Sequence, residues 1–241
     1  MLVVAALVPD TALLVGGSAG EADVLVELRT AAVAAVAEVV AADVATVVVV
    51  APGPVGRELR GTVRPSLAAA GVPDELLWWP AHPVTLPGDG QDVPTVPSAV
   101  ALHLLLRARR RRGVRVVEVT GRQSPDTLAE LGRALVDEGP TGLVVVGSGS
   151  GRHGPDAPLA DDPRAPVHDA RVLADLTDAG PAARARLRED DADLAVELAV
   201  RGWAPWQVLL GATGDRPVRS RLLVESTELG AQHAVLVWDA R

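Results

Sequence analysis

The chain predicts one α/β domain, residues 1–241, with a mainly parallel central sheet flanked by helices. Three observations carry this expectation. Short apolar, β-branched runs recur at 44–50, 114–119 and 143–146, as strands buried on both faces require. Stretches of helix-forming composition separate them, and strands that alternate with helices build parallel sheets. The length suits one domain with a sizeable core, and no internal repeat or clean linker divides it.

The elements follow in order. Residues 2–8 read as a first strand, ended by Pro9-Asp10 and followed by a Gly/Ser loop from Gly16 to Gly20. Residues 21–42 carry helical periodicity and good helix formers. Val44 to Val50 form a second strand, and Ala51-Pro52-Gly53-Pro54 stops it, because two close prolines cannot continue a central strand. Pro65, Pro73, Pro80, Pro83, Pro87, Pro94 and the following Pro97 then break residues 56–96, predicting an irregular excursion that carries Trp78-Trp79. Ser98 to Arg112 reads as a helix, 114–119 as a third core strand, and 124–138 as a helix opened by Ser124-Pro125-Asp126. Leu143 to Val146 is the fourth core strand. A polar stretch, 154–165, precedes helical segments over 167–200 broken at Gly180-Pro181, a short helix over 205–213, and closing strands at 221–225 and 233–238.

Composition narrows the chemistry. There is no Cys, which excludes disulfides, iron–sulfur clusters and thiol nucleophiles and points to the cytosol. The net charge of −8 disfavours nucleic acid as a partner. Lys, Asn, Ile, Phe and Tyr are also absent. Those types have AT-rich codons, so the pattern reports a GC-rich bacterial genome rather than a function. The apolar stretch 30–50 is interrupted by Glu38 and Asp43 and reads as helix then strand, not as a membrane span. The short apolar N-terminus lacks a basic leader and reads as a strand rather than a targeting segment.

The most informative stretch is Gly147-Ser148-Gly149-Ser150-Gly151-Arg152-His153, which follows the fourth strand directly. Glycine permits backbone angles that other residues avoid, and open α/β sheets bind ligands just beyond the carboxyl ends of their strands. The Gly/Ser loop first suggests phosphate binding, but it fits a nucleotide cradle poorly, because the chain has no Lys for a Walker motif and Pro155 and Pro158 follow where a helix should open. His153 has the titration range of a general acid/base, but on spacing alone it reads as a solvated loop histidine. Asp156, Asp161, Asp162 and Asp169, with His168, lack the spacing of a calcium loop and read as solvated. The arginines at 107 and 109–112 read as a helix end complementing the dipole, and Trp203 and Trp206 as core anchors.

Three segments together resemble the class III extradiol ring-cleavage dioxygenase superfamily, in the fold of its catalytic chain; its relatives include the Memo-like proteins. Val8-Pro9-Asp10-Thr11-Ala12-Leu13-Leu14 resembles its Pro-His-Pro-Pro-Leu-Leu opening. Ala51-Pro52-Gly53-Pro54 resembles its Ser-Pro-His-Gly-Pro loop, and Gly147 to His153 resembles its Gly-Thr-Gly-Gly-x-Ser-His loop. Gly151 to Pro158, Asp162 to Ala165 and Ala204 to Leu209 are similar to uncharacterised actinobacterial members.

The resemblance implies an Fe(II) site of two His and one carboxylate with positions open for catechol and O₂. The match fails at the ligands. The first histidine falls on Asp10, and the second falls among Ala51, Pro52 and Gly53, where there is none. The carboxylate falls on Glu225 or Glu228, and only His153 keeps its place, that of the acid/base histidine. Asp10, Glu225 and Glu228 would form a hard site for Mg²⁺, Mn²⁺ or Fe, with His82 or His103 recruited, or hold nothing.

Three functional readings stay open. The preferred one is a protein without iron chemistry that keeps a pocket of Pro52, Gly53, Gly147, Ser148, Gly149, Ser150 and His153, and binds a small molecule or carries an altered activity. The second is a metal-dependent oxidoreductase with substituted ligands. The third is an interaction protein using Trp78-Trp79. A homodimer is implied by resemblance only.

Overall fold

The computed structural model describes residues 1–240. In chain order the main elements are β1 (Leu2–Val8), α1 (Val26–Ala41), β2 (Thr46–Pro52), β3 (Arg57–Glu58), β4 (Thr62–Val63), β5 (Val84–Thr85), α2 (Val96–Arg107) and β6 (Val114–Val119). Then come α3 (Pro125–Leu135), β7 (Thr141–Val146), α4 (Ala165–Asp178), α5 (Pro181–Arg188), α6 (Ala192–Glu197), α7 (Trp203–Thr213), β8 (Arg219–Ser226) and β9 (His233–Asp239). No helix among the described residues is long and apolar enough to cross a membrane.

Seven strands form one sheet in the order β3-β6-β2-β7-β1-β9-β8. The inner four, β6, β2, β7 and β1, are mutually parallel, while β9 pairs antiparallel with β1, β8 antiparallel with β9, and the two-residue β3 antiparallel with β6. The expected α/β class and mainly parallel core are therefore what the chain forms. Every residue of β1 and β7 is buried, which is why their sequences are continuous apolar runs rather than alternations.

Successive side chains on these strands serve two cores. Val47, Val49, Val144 and Val146 meet α1 and α2 on one face. Val48, Val50, Leu143 and Val145 meet α3 to α7 on the other. The chain runs outward from β1 through β2 to β6 and then returns to place β7 between β1 and β2. The connections leaving β2 and β7 therefore lie on opposite faces, and the crevice between their carboxyl ends is a topological switch point.

Helix α7 crosses α3 closely because two glycines face the contact. A Cβ on Gly211 would stand 2.1 Å from the Ala129 carbonyl oxygen, and one on Gly132 would stand 2.0 Å from that of Val208. Helix α3 begins as expected, with Ser124 Oγ accepting from the Thr127 N–H at 3.2 Å and Pro125 in the first turn.

Boundaries differ from expectation where single residues take left-handed angles. Leu25 (φ 52) delays α1 to Val26, and Arg109 (φ 63) releases the arginine run, so only Arg107 lies in the last turn of α2. The Pro-rich excursion contains β3 and the β4–β5 hairpin. Its tryptophans are held by the chain itself. Arg29 lies over Trp78 at 5.8 Å and Arg107 over Trp79 at 5.1 Å, although Trp78 stays 51 % exposed.

Candidate functional site

The carboxyl edge of the parallel strands gathers the loop after β1 (Pro9, Asp10), the loop after β2 (Pro52, Gly53), the Gly/Ser loop after β7, and the turn 199–202 that leads into α7. The glycines of the β7 loop act differently from expectation. Gly147, Gly149 and Gly151 all have negative φ; two of them are required by close approach. A Cβ on Gly147 would lie 2.3 Å from Gly202 Cα, and one on Gly149 would lie 2.9 Å from the Asp169 carboxyl carbon. The loop also pairs with the segment before β9, through Gly149 N–H to Gln232 O at 2.9 Å, Gln232 N–H to Ser150 O at 2.9 Å and His153 N–H to Gly230 O at 3.0 Å.

That pairing makes His153 other than a solvated loop residue. Its Nε2 lies 2.6 Å from Asp169 Oδ2, and its side chain is 12 % exposed. Asp169 also accepts the Ser150 N–H at 2.9 Å and meets His168 Nδ1 at 3.3 Å. His168 Nε2 approaches Asp190 Oδ1 at 3.3 Å, and Asp190 in turn pairs with Arg171. Burial opposes the charged imidazole of His168, but hydrogen bonds to Asp169 and Asp190 outweigh it and push its pKa up to about 9. At neutral pH an imidazolium therefore sits between two carboxylates. Burial likewise opposes the Asp190 carboxylate, and its bonds to His168 and Arg171 prevail, lowering its pKa.

The acidic stretch thus divides. Asp169 turns inward, while Asp162 pairs with Arg164, which holds its pKa at about 2, and Asp161 Oδ1 accepts the Gly154 N–H at 2.7 Å. Ser150 is a structural staple: its Oγ donates to Leu198 O at 2.5 Å.

Ser148 faces the other way. Its Oγ accepts the Asp10 N–H at 3.3 Å and lies 2.9 Å from His233 Nδ1. Burial lowers the pKa of His233, with a smaller opposing pull from Asp10, so the ring is neutral at neutral pH. The Asp10 carboxylate, almost buried, is paired with Arg201 Nε. Sequence reasoning missed His233, which opens β9 between β1 and β8, and Arg201, whose pairing with Asp10 joins residues 191 apart.

The expected metal-ligating residues do not form one donor set. Glu225 and Glu228 are exposed at the β8 edge and line a separate groove with Asp23 and Glu27. The alternation of β8 aims Glu225 outward, and its strand is separated from β1 by β9. His103 Nε2 is taken by Pro65 O at 2.7 Å, and His82 is exposed in the excursion. Asp10 holds a guanidinium. Among the described residues no cluster of three or more His, Cys, Asp or Glu side chains has a metal-holding arrangement. A facial triad therefore does not fit these residues.

A cleft of about 530 Å³ opens beside this edge. Pro52, Gly53 and Thr95 form one side, and Val196, Arg201 and Trp203 are on the other. Behind it, the fully buried Glu118 accepts from Arg57 Nε (2.8 Å), Thr95 N–H (2.7 Å) and Ser98 Oγ (2.8 Å), which fixes the start of α2 against β6. Arg201 is aimed by a strained turn. Val200 N–H bonds Ala195 O at 2.8 Å and Ala199 N–H bonds Val196 O at 3.1 Å, the two bonds of a Schellman end, with Ala199 at φ 57 where glycine is usual.

Fold and site together define a doubly wound α/β protein with a small-molecule-sized cleft at the carboxyl ends of β2 and β6, one strand from its switch point. The chain is similar in fold to a solved structure, the uncharacterized protein JW3007 from Escherichia coli K12, with 17 % identity, a TM-score of 0.55, and coverage of 98 % of this chain and 99 % of that one. No family model matches the sequence, and no curated protein does.

Proposed function

We propose that this protein is a cytoplasmic, extradiol dioxygenase-like protein without iron chemistry, which binds a small organic molecule in the cleft at the carboxyl ends of β2 and β6. The observation that carries the reading is the ion pair between Arg201 and Asp10. By resemblance, Asp10 stands where the first iron-holding histidine is usual. A guanidinium there satisfies the buried carboxylate with a fixed organic cation. The second ligand position is Pro52-Gly53, which lines the cleft and offers no imidazole.

Metal analysis after anaerobic incubation with Fe(II) tests this. The expected result is less than a tenth of an equivalent of retained iron per chain after desalting, on the order expected for adventitious carboxylate binding. One tightly held iron per chain overturns it.

A second reading, an altered activity in the same protein, is favoured by the His153–Asp169 pair. A carboxylate that fixes the orientation of an imidazole is the arrangement of a general acid/base. His153→Gln separates the two readings. Ligand binding survives in both, and loss of a turnover signal occurs only in the second.

A further inference from the structure

The chemical class of the ligand can be read from the cleft, an inference that rests on the binding reading above. Most of its lining is apolar: Pro52, Val119, Leu159, Val196 and Trp203 present hydrocarbon. Against this stands Arg201. Its Nε donates to Asp10, while no hydrogen bond engages Nη1 or Nη2 among the described residues, and the side chain is 54 % exposed. The far edge of a guanidinium carries two parallel N–H groups whose spacing matches a carboxylate.

We infer that the cleft binds an apolar monocarboxylate, its hydrocarbon body against the Val/Leu/Trp wall and its carboxylate bidentate on Nη1 and Nη2 of Arg201. Charge selects the single negative charge. Asp10 already compensates part of the guanidinium, and no second basic residue lines the cleft among the described residues, so a dianionic phosphate would sit undercompensated. Helix α7 begins at Trp203 with no side-chain cap, and both Trp203 and Ala204 line the cleft. The positive end of its dipole adds to the same preference. Asp10 plays the complementary part by holding Nε, so that the fork is presented at one angle, which lowers the ordering cost of binding.

Calorimetric titration of the full chain with phenylacetate and hexanoate, against 2-phenylethanol and hexanol, tests the assignment. The acids are expected to bind at least about tenfold more tightly than the alcohols, the worth of one charge-assisted bidentate contact. Arg201→Met should abolish that gap by weakening the acids. Because this variant strands the Asp10 carboxylate, the double variant Asp10→Asn with Arg201→Met removes the pair together and should behave alike. Arg201→Lys, which keeps the charge and loses the fork, should retain only part of the gap. Equal binding of acids and alcohols overturns the carboxylate assignment and leaves the cleft reading standing. Tighter binding of phenyl phosphate than of phenylacetate also overturns it. No binding of either class overturns the cleft reading itself.

Discussion

The two sides of the β7 loop are built on opposite principles. Toward α4 the space is filled with polar, ionisable side chains: His153, Asp169, His168, Asp190 and Arg171 form a continuous chain of hydrogen bonds and ion pairs. Toward α6 and α7 the space is open, apolar, and supplied with one guanidinium whose outer edge is free. Titratable side chains concentrate where there is no room for a ligand, and the room lies where side chains are small and plain. Buried charges here order the scaffold, and the absence of bulk makes the cleft.

The contrast can be broken most strongly at Asp169. Asp169→Ala leaves the His168 imidazolium with Asp190 as its one carboxylate and strands the Ser150 N–H, and should cost about 3 kcal/mol of stability, read from urea denaturation. A loss below about 1 kcal/mol would mean that the charged side is not what orders the loop.

The next effect is pH dependence. The pKa of His168 is raised from 6.5 to about 9, so its stabilising contribution is complete below about pH 6.5 and is lost as pH rises through 9. The lowered value of Asp190 acts in the opposite direction: its contribution is present above the ordinary carboxylate range and is lost in acid. On the order of 2–3 kcal/mol should disappear between pH 7 and pH 10, measured as the fall in melting temperature, and His168→Gln should flatten that limb.

Smaller effects sharpen the other side. Gly211→Ala should destabilise by about 1–3 kcal/mol in the same denaturation assay, because the added methyl meets the Ala129 carbonyl at 2.1 Å and overpacks the α3–α7 crossing. Ala199→Gly should stabilise by about 1 kcal/mol by relieving the left-handed alanine before Arg201. Val196→Glu, on an exposed position of the cleft wall, should change stability by less than about 0.5 kcal/mol yet weaken phenylacetate binding in calorimetry.

Much of the fold was legible because β-branched runs such as 47–50 and 143–146 are buried on both faces and have no alternative use. The helix ends were less so: Leu25, Arg109 and Ala199 take positive φ without being glycine, and nothing in their composition announces it. In the site, the Gly/Ser loop was found by its position after a strand, and His153 by its place in that loop. Its partner Asp169 looked like one more surface acid, because the sequence does not show that α4 turns its first turns inward. Arg201 and Asp10 lie 191 residues apart, and their pairing is a product of strand order alone. The alanines and glycines of the cleft carry no chemical signature, so a cavity made by small residues is invisible until the chain is folded.

Trp203 joins the two sides. One part of the indole walls the cleft, and its N–H donates to the Asp190 carbonyl oxygen at 3.2 Å. The chain thus carries an intrinsic fluorophore between the open space and the charged chain. The ring is 2 % exposed and is one of five tryptophans, so in a variant that keeps only this one, a guest in the cleft and alkaline neutralisation of His168 should each shift its emission by changing the field around it, and one spectrum reports both events.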